Sequence, residues 1–261
     1  MNGMERRNWT REELILAFNL YCQIPYGTFH GGNPRIIELA GIIGRTPNAL
    51  ALKLSNFASF DPYHKARGIK GLQNAGKLDK EIWDEFTNNW GESIYDSERT
   101  LAAKQKTSIE KKYGFHFDDI GDRKGENRTR EIKARVNQTF FRNVILSIYN
   151  FRCAVSGIDI PDLLIACHIL PWAVNEKERL NPHNGLCLSP LYDRCFDQGY
   201  VTITADYKFK VARELKDRLG KGCYARHFEC YEDGPIALPD RFLPDPDFLN
   251  YHQRNIFRGS R

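Results

Sequence analysis

Residues 163–204, LLIACHILPWAVNEKERLNPHNGLCLSPLYDRCFDQGYVTIT, carry the reading on which the fold turns. The apolar run Leu163 to Cys167 predicts a short strand that delivers His168 where strand passes into loop. Asn181 to Asn184 have turn composition and Gly185 to Leu188 predict a second strand. Ser189-Pro190 supply the cap and first position of a helix that carries Asp193 and Asp197. The predicted order is strand, loop, strand, helix. Asp193 and Asp197 are one helical turn apart, so their carboxylates share a face.

Three clusters in this stretch, Ala166-Cys167-His168-Ile169 with Pro171-Trp172, Asn181 to Leu188, and Asp193 to Gly199, follow a known order and spacing. The stretch resembles the HNH endonucleases of the ββα-metal class, closest to a bacterial branch of restriction-type enzymes. The resemblance implies an α+β chain whose C-terminal domain has the ββα-metal fold and hydrolyses phosphodiesters. Such hydrolysis needs a base for the attacking water and positive charge at the phosphate and leaving oxygen. A neutral imidazole suits the first task, which assigns His168 as general base. Hard oxygen ligands suit Mg²⁺ or Mn²⁺ for the second.

By the same resemblance Asp193 occupies the position of the last metal ligand, and Asn184 ties the loop to the His-bearing strand, a positioning role. Asp197 is a second metal candidate that would ligate directly, bond to a ligand, or cap the Gly199 turn. His183, in an Asn-Pro-His-Asn turn, is expected to face solvent or a phosphate. Two positions depart from the family pattern. Cys167 stands where many relatives have Asp, and a buried strand cysteine is most often inert packing. Of four positions that hold a structural zinc in many relatives, Cys153, Ser156, Ser189 and Tyr192, one is a thiol, so no structural zinc is expected.

The chain has 261 residues, a net charge of +5 and the apolar content of a globular protein. A mildly basic balance fits a polyanionic partner, here DNA. Seven cysteines without a C-x-x-C spacing argue against a disulfide framework and for a cytoplasmic location. No apolar run reaches the ~18 residues of a membrane span, so no membrane contact is expected.

Upstream, Thr10 with Glu13 forms a capping box for a first helix, and Asn33-Pro34 and Thr46-Pro47 start two more, the former stopped by Gly44. The last two resemble a helix-turn-helix, which places Arg45, Asn48, Lys53 and Asn56 as candidate DNA contacts. Tyr63 to Leu78 is expected to be a basic loop with His64, Lys65, Arg67 and Lys70. Asp79 to Trp90 predicts a helix whose aromatic face seals the N-terminal domain.

Ser97 to Lys112 is expected to be a polar linker helix, followed by a loop over Tyr113 to Asn127. Arg128 to Tyr149 predicts an amphipathic helix with Arg130, Lys133 and Arg135 near DNA. The expected domains are therefore 1–95 (helical, DNA recognition), 96–127 (linker) and 128–261 (HNH nuclease). Tyr200 to Val211 predicts a hairpin, and Phe248 to Phe257 a final helix with His252 as a core or cap residue.

The sequence thus predicts a metal-dependent DNA endonuclease of restriction or defence type. Cutting a duplex would need a homodimer or two successive events. Two other readings stay open: a DNA-binding regulator with an inactive HNH fold, suggested by Cys167, and a nuclease for RNA or single strands.

Overall fold

The computed structural model of the chain describes residues 7–67, 76–114 and 126–260. It divides into two compact units, Met1–Phe140 and Phe141–Arg261, and the fold is α+β.

The first unit is helical. Helix α1 (Arg11–Gln23) starts at Thr10, whose hydroxyl accepts from the Glu13 amide at 3.3 Å while the Glu13 carboxylate accepts from the Thr10 amide at 3.0 Å. Helix α2 (Pro34–Ile43) is capped by Asn33 and ends at Gly44, at φ 66°. That left-handed conformation costs glycine nothing. Helix α3 (Pro47–Ala58) is capped by Thr46. A short α4 (Pro62–Ala66), capped by Asp61, occupies the start of the expected basic loop and buries His64. The stretch that includes Lys70 lies outside the described residues. Helices α5 (Lys77–Asn88) and α6 (Trp90–Lys104) follow, then a single turn, α7 (Ile109–Lys112).

Phe18 of α1 anchors the core, with ring centroids 5.1 Å from Phe57, 5.5 Å from Trp83 and 4.6 Å from Phe86. The aromatic face of α5 is therefore core and presents no surface for base stacking.

Helix α6 runs through the expected boundary at residue 95 and is built into this unit. Its Ser97 and Glu98 are buried and accept from the Asn19 amide, each at 2.8 Å, while Lys112 reaches Glu98 at 2.6 Å. A polar helix can be interior when each polar group finds a partner. The segment Ser97 to Lys112, expected as a linker, gains its place this way.

Three of the four DNA candidates around α3 are also drawn inward. Arg45 binds Glu13 at 2.7 Å and lies over the Trp9 ring, its guanidinium carbon 4.5 Å from the centroid. Lys53 is buried and bonds both oxygens of buried Asp79 at 2.9 Å. Asn56 is buried as well, and Asn48 alone stays exposed. The polar positions of α3 were expected to face solvent. Arg45 and Lys53 face inward because Glu13 and Asp79, brought by α1 and α5, supply opposite charge at the interior.

Helix α8 (Glu126–Ile148) contains the division between the units. In the first unit its Ile132 and Val136 pack with Ala102 and Ile109. Lys133 pairs with Glu92 and Arg135 with Glu131, whereas Arg130 is exposed.

In the second unit, β1 (Ile165–His168) pairs antiparallel with β2 (Gly185–Leu188), with His168 opposite Gly185 and Cys167 opposite Leu186. Helix α9 (Pro190–Asp197) follows directly. A second hairpin pairs β3 (Val201–Ile203) with β4 (Phe209–Val211). Short helices α10 (Arg213–Arg218) and α11 (Lys221–Tyr224) precede the last, α12 (Pro246–Asn255).

Two glycines set the close approaches here. A Cβ on Gly185 would lie 2.2 Å from Cδ1 of Ile145 in α8. One on Gly199, at φ 70°, would lie 2.1 Å from the backbone oxygen of Ile256.

Candidate active site of the ββα unit

The end of β1, the loop after it and helix α9 enclose an open cleft of about 510 Å³, lined among others by Cys167, His168, Trp172, Asp193, Asp197 and His252. His168 is half-buried. Its ring stacks on Phe141, with centroids 4.3 Å apart and planes at 6°, and meets the Trp172 ring edge-on at 5.4 Å. Nε2 lies 2.8 Å from the Arg179 carbonyl oxygen. A carbonyl only accepts, so Nε2 carries the hydrogen, and the neutral ring keeps the Nδ1 lone pair as its acceptor. Burial holds the His168 pKa below the ordinary histidine value, partly opposed by that hydrogen bond.

Asn184 is buried and joins three points of the loop. Its Oδ1 accepts from the Leu170 amide at 2.7 Å, its Nδ2 donates to the Glu178 carbonyl at 3.0 Å, and its own carbonyl accepts from the Ile169 amide at 3.0 Å. These bonds hold the chain on both sides of the loop that follows His168. His183 does not face solvent freely: its Nδ1 donates to the Leu243 carbonyl at 2.6 Å.

Asp193 and Asp197 converge with Cys167. One potential ligand atom from each lies within 4.8 Å of the other two, and Cys167 Sγ is 3.9 Å from Asp197 Oδ1. Burial raises the pKa of both carboxylates, and the charge of Asp193 raises Asp197 further. Burial, then the two carboxylates, push the Cys167 thiol well up. Asp197 also ends a helix, where the backbone dipole disfavours negative charge. Among the described residues neither carboxylate has an ion-pair contact within 4.0 Å, and the more distant Arg194 charge only partly opposes the rise. Each of these effects would be relieved by a cation, so the donor set fits a divalent ion.

The segment 153–204 matches the protein family described as HNH endonuclease. This segment is an HNH endonuclease domain. HNH nucleases generally use a divalent metal, and the Cys167, Asp193 and Asp197 group is where this domain could hold one. Among solved structures, a "Modification dependent TagI restriction endonuclease" is similar at 24% identity and a TM-score of 0.31, over 46% of this chain and 39% of that one. No curated protein matches the chain. Among the described residues no helix is long and apolar enough to cross a membrane.

At the positions where many HNH domains hold zinc, Cys153 Sγ accepts from the Ser189 amide at 3.2 Å and the Ser156 amide at 3.4 Å. Tyr192 instead donates its hydroxyl to the His227 carbonyl at 2.7 Å. His252 is buried, with Nε2 donating to the Phe196 carbonyl at 3.0 Å and Nδ1 accepting from Thr202 at 2.9 Å, a structural role although it lines the cleft.

Sequence reasoning missed Phe141, the ring that flanks His168. The periodic stripe of α8 marks Phe140 and Val144, and the signal for Phe141 lay elsewhere, in Gly185, whose missing side chain makes room for Phe141 and Ile145.

Proposed function

We propose that the chain is a divalent-metal-dependent DNA endonuclease of restriction or defence type, acting in the cytoplasm. One observation carries it: a half-buried imidazole with one nitrogen fixed on a backbone carbonyl shares a cleft with two converging carboxylates whose pKa values burial raises despite the nearby Arg194 charge. His168 takes a proton from water on Nδ1, and the hydroxide oxygen attacks phosphorus in line. Asp193 and Asp197 hold the ion, whose charge would offset that building on the phosphate and leaving 3′-oxygen. The products are a 5′-phosphate and a 3′-hydroxyl. Asn184 positions the base by holding the ends of its loop.

Restriction-type activity is supported by the resemblance of the HNH motif, and DNA as substrate by the net charge of +5. With Arg45, Lys53 and Asn56 turned inward, Asn48, Arg130 and Arg135 are the exposed DNA candidates, with Lys133 tied to Glu92. One centre cuts one strand, so duplex cleavage calls for a homodimer or two sequential cuts.

The test is nicking of supercoiled plasmid with Mn²⁺ by wild type and His168→Ala. Cutting is expected to fall by ~10²–10⁴-fold, with plasmid binding retained. In wild type the acid limb of kcat/KM should lie below the ordinary histidine pKa, because the active form is neutral and burial favours it. Undiminished cutting by the variant would remove His168 from the mechanism.

A further inference from the structure

Two cysteines sit on the paired strands of the HNH domain, and their surroundings differ. Cys187 is fully buried, beside Cys153 and Arg142, and no carboxylate is among the groups that act on it. Cys167 is also buried, at 2% exposure, but its thiol lines the cleft and stands beside Asp193 and Asp197. A thiol placed only to fill apolar space has no reason to meet two carboxylates. Its polar neighbours are the Asp193 carboxylate, an Asp197 carboxylate oxygen at 3.9 Å and the His168 carbonyl oxygen at 3.7 Å, long contacts for a weak sulfhydryl donor. The three potential donor atoms lie within 4.8 Å of one another, and the 3.9 Å between Cys167 Sγ and Asp197 Oδ1 is a span that one ion can bridge with zinc–sulfur and zinc–oxygen bonds of about 2.3 and 2.0 Å.

We propose that Cys167 is a ligand to the ion together with Asp193 and Asp197, and that this mixed sulfur and oxygen set selects Mn²⁺, Co²⁺, Zn²⁺ or Cd²⁺ over Mg²⁺. The proposal rests on the reading of the cleft as a metal centre and narrows the ion it takes. Thiolate favours softer first-row and thiophilic ions, whereas Mg²⁺ demands oxygen. On coordination the S–H bond breaks, sulfur keeps the electron pair for the metal, and the proton leaves to solvent. The cysteine that departs from the usual Asp thus keeps its place as a donor and changes the ion preference.

The test is titration of the metal-free full-length protein with Co²⁺, followed by absorption. Wild type should give visible d–d bands together with a thiolate-to-cobalt charge-transfer band in the near ultraviolet. Cys167→Ser, nearly isosteric, should keep the d–d bands, lose the charge-transfer band and bind Co²⁺ at least ~10-fold more weakly. Cys167→Asp should raise Mg²⁺-supported nicking relative to Mn²⁺-supported nicking, and thermal melts of each variant check its folding. If wild type shows d–d bands without charge transfer, or if Cys167→Ser keeps the charge-transfer band, Cys167 is not a ligand while the metal centre stands. If wild type binds no Co²⁺ by equilibrium dialysis and Asp193→Asn changes nothing, the metal reading of the cleft fails as well.

Discussion

Lys53 and Asp79 in the helical unit, and Asp193 and Asp197 in the HNH domain, are all ionisable groups withdrawn from bulk water, but they are neutralised differently. Asp79 is 1% exposed and meets the Lys53 ammonium with both oxygens. Asp193 and Asp197 meet a thiol and each other, and their pKa values rise. The first arrangement is complete within the chain and builds the fold. The second leaves like charges together, and on the proposed reading a cation from outside would remove that repulsion, a difference that, more than residue type, would separate a scaffold charge from a metal-binding one.

The comparison breaks most visibly at Asp193. Asp193→Asn should lower divalent-dependent nicking by ~10²-fold or more, since metal stabilisation of transition-state charge is worth several kcal/mol. The same variant should melt at a slightly higher temperature when metal-free, because the carboxylate repulsion is gone. A metal-free melt that drops instead would mean the Asp193 charge already has a partner in the fold.

Lys53→Met should act in the opposite sense. It leaves Asp79 buried without a counter-charge and should cost ~3–5 kcal/mol in denaturant unfolding, with nicking per folded molecule unchanged. Lys53→Met combined with Asp79→Leu should recover most of the loss. A DNA-binding defect in the stable double variant would return Lys53 to the nucleic-acid interface.

A pH titration sharpens the contrast from a third group. His252 is buried between Phe196 and Thr202 and its pKa is lowered to about 4, chiefly by burial. The unfolded imidazole titrates near ~6.5, so between these values the unfolded chain binds more protons. Stability should be complete above that range and fall by ~3 kcal/mol as pH drops through it. Melts of wild type and His252→Gln across pH 7 to ~4 check this, and parallel curves would discard it. The smallest effect is expected at Gly185. Gly185→Ala forces a methyl toward Ile145 and Phe141, which should cost ~1–3 kcal/mol and disturb the ring stacked on His168, lowering kcat before KM.

Local signals were legible where one segment contains its own explanation. Thr10 with Glu13, Asn33-Pro34 and Thr46-Pro47 mark helix starts because the cap oxygen and the backbone amide that donates to it lie within three residues. The β1, β2, α9 order was readable because short apolar runs, a turn and a Ser-Pro start follow each other directly. Lys53 was misplaced because its partner is 26 positions away, and a polar residue off the apolar stripe reads as solvent-facing until that partner is known. Helix α6 read as a linker for the same reason, since Glu98 meets Asn19 across 79 positions. Within the cleft, the imidazole and carboxylates were named through the family resemblance, but the Phe141 ring and the Arg179 carbonyl that orient His168 come from outside any short pattern.

The bonds of Asn184 have a consequence for how an HNH domain of this kind can diversify. They fasten the chain at Ile169 and Leu170 on one side and at Glu178 on the other, while positions 173–177, beyond the Trp172 that meets His168, are exposed. Lengthening or recoding that excursion leaves its two anchorages intact. Evolution, or an engineer, can therefore vary what the loop touches while the geometry of the chemistry is inherited unchanged.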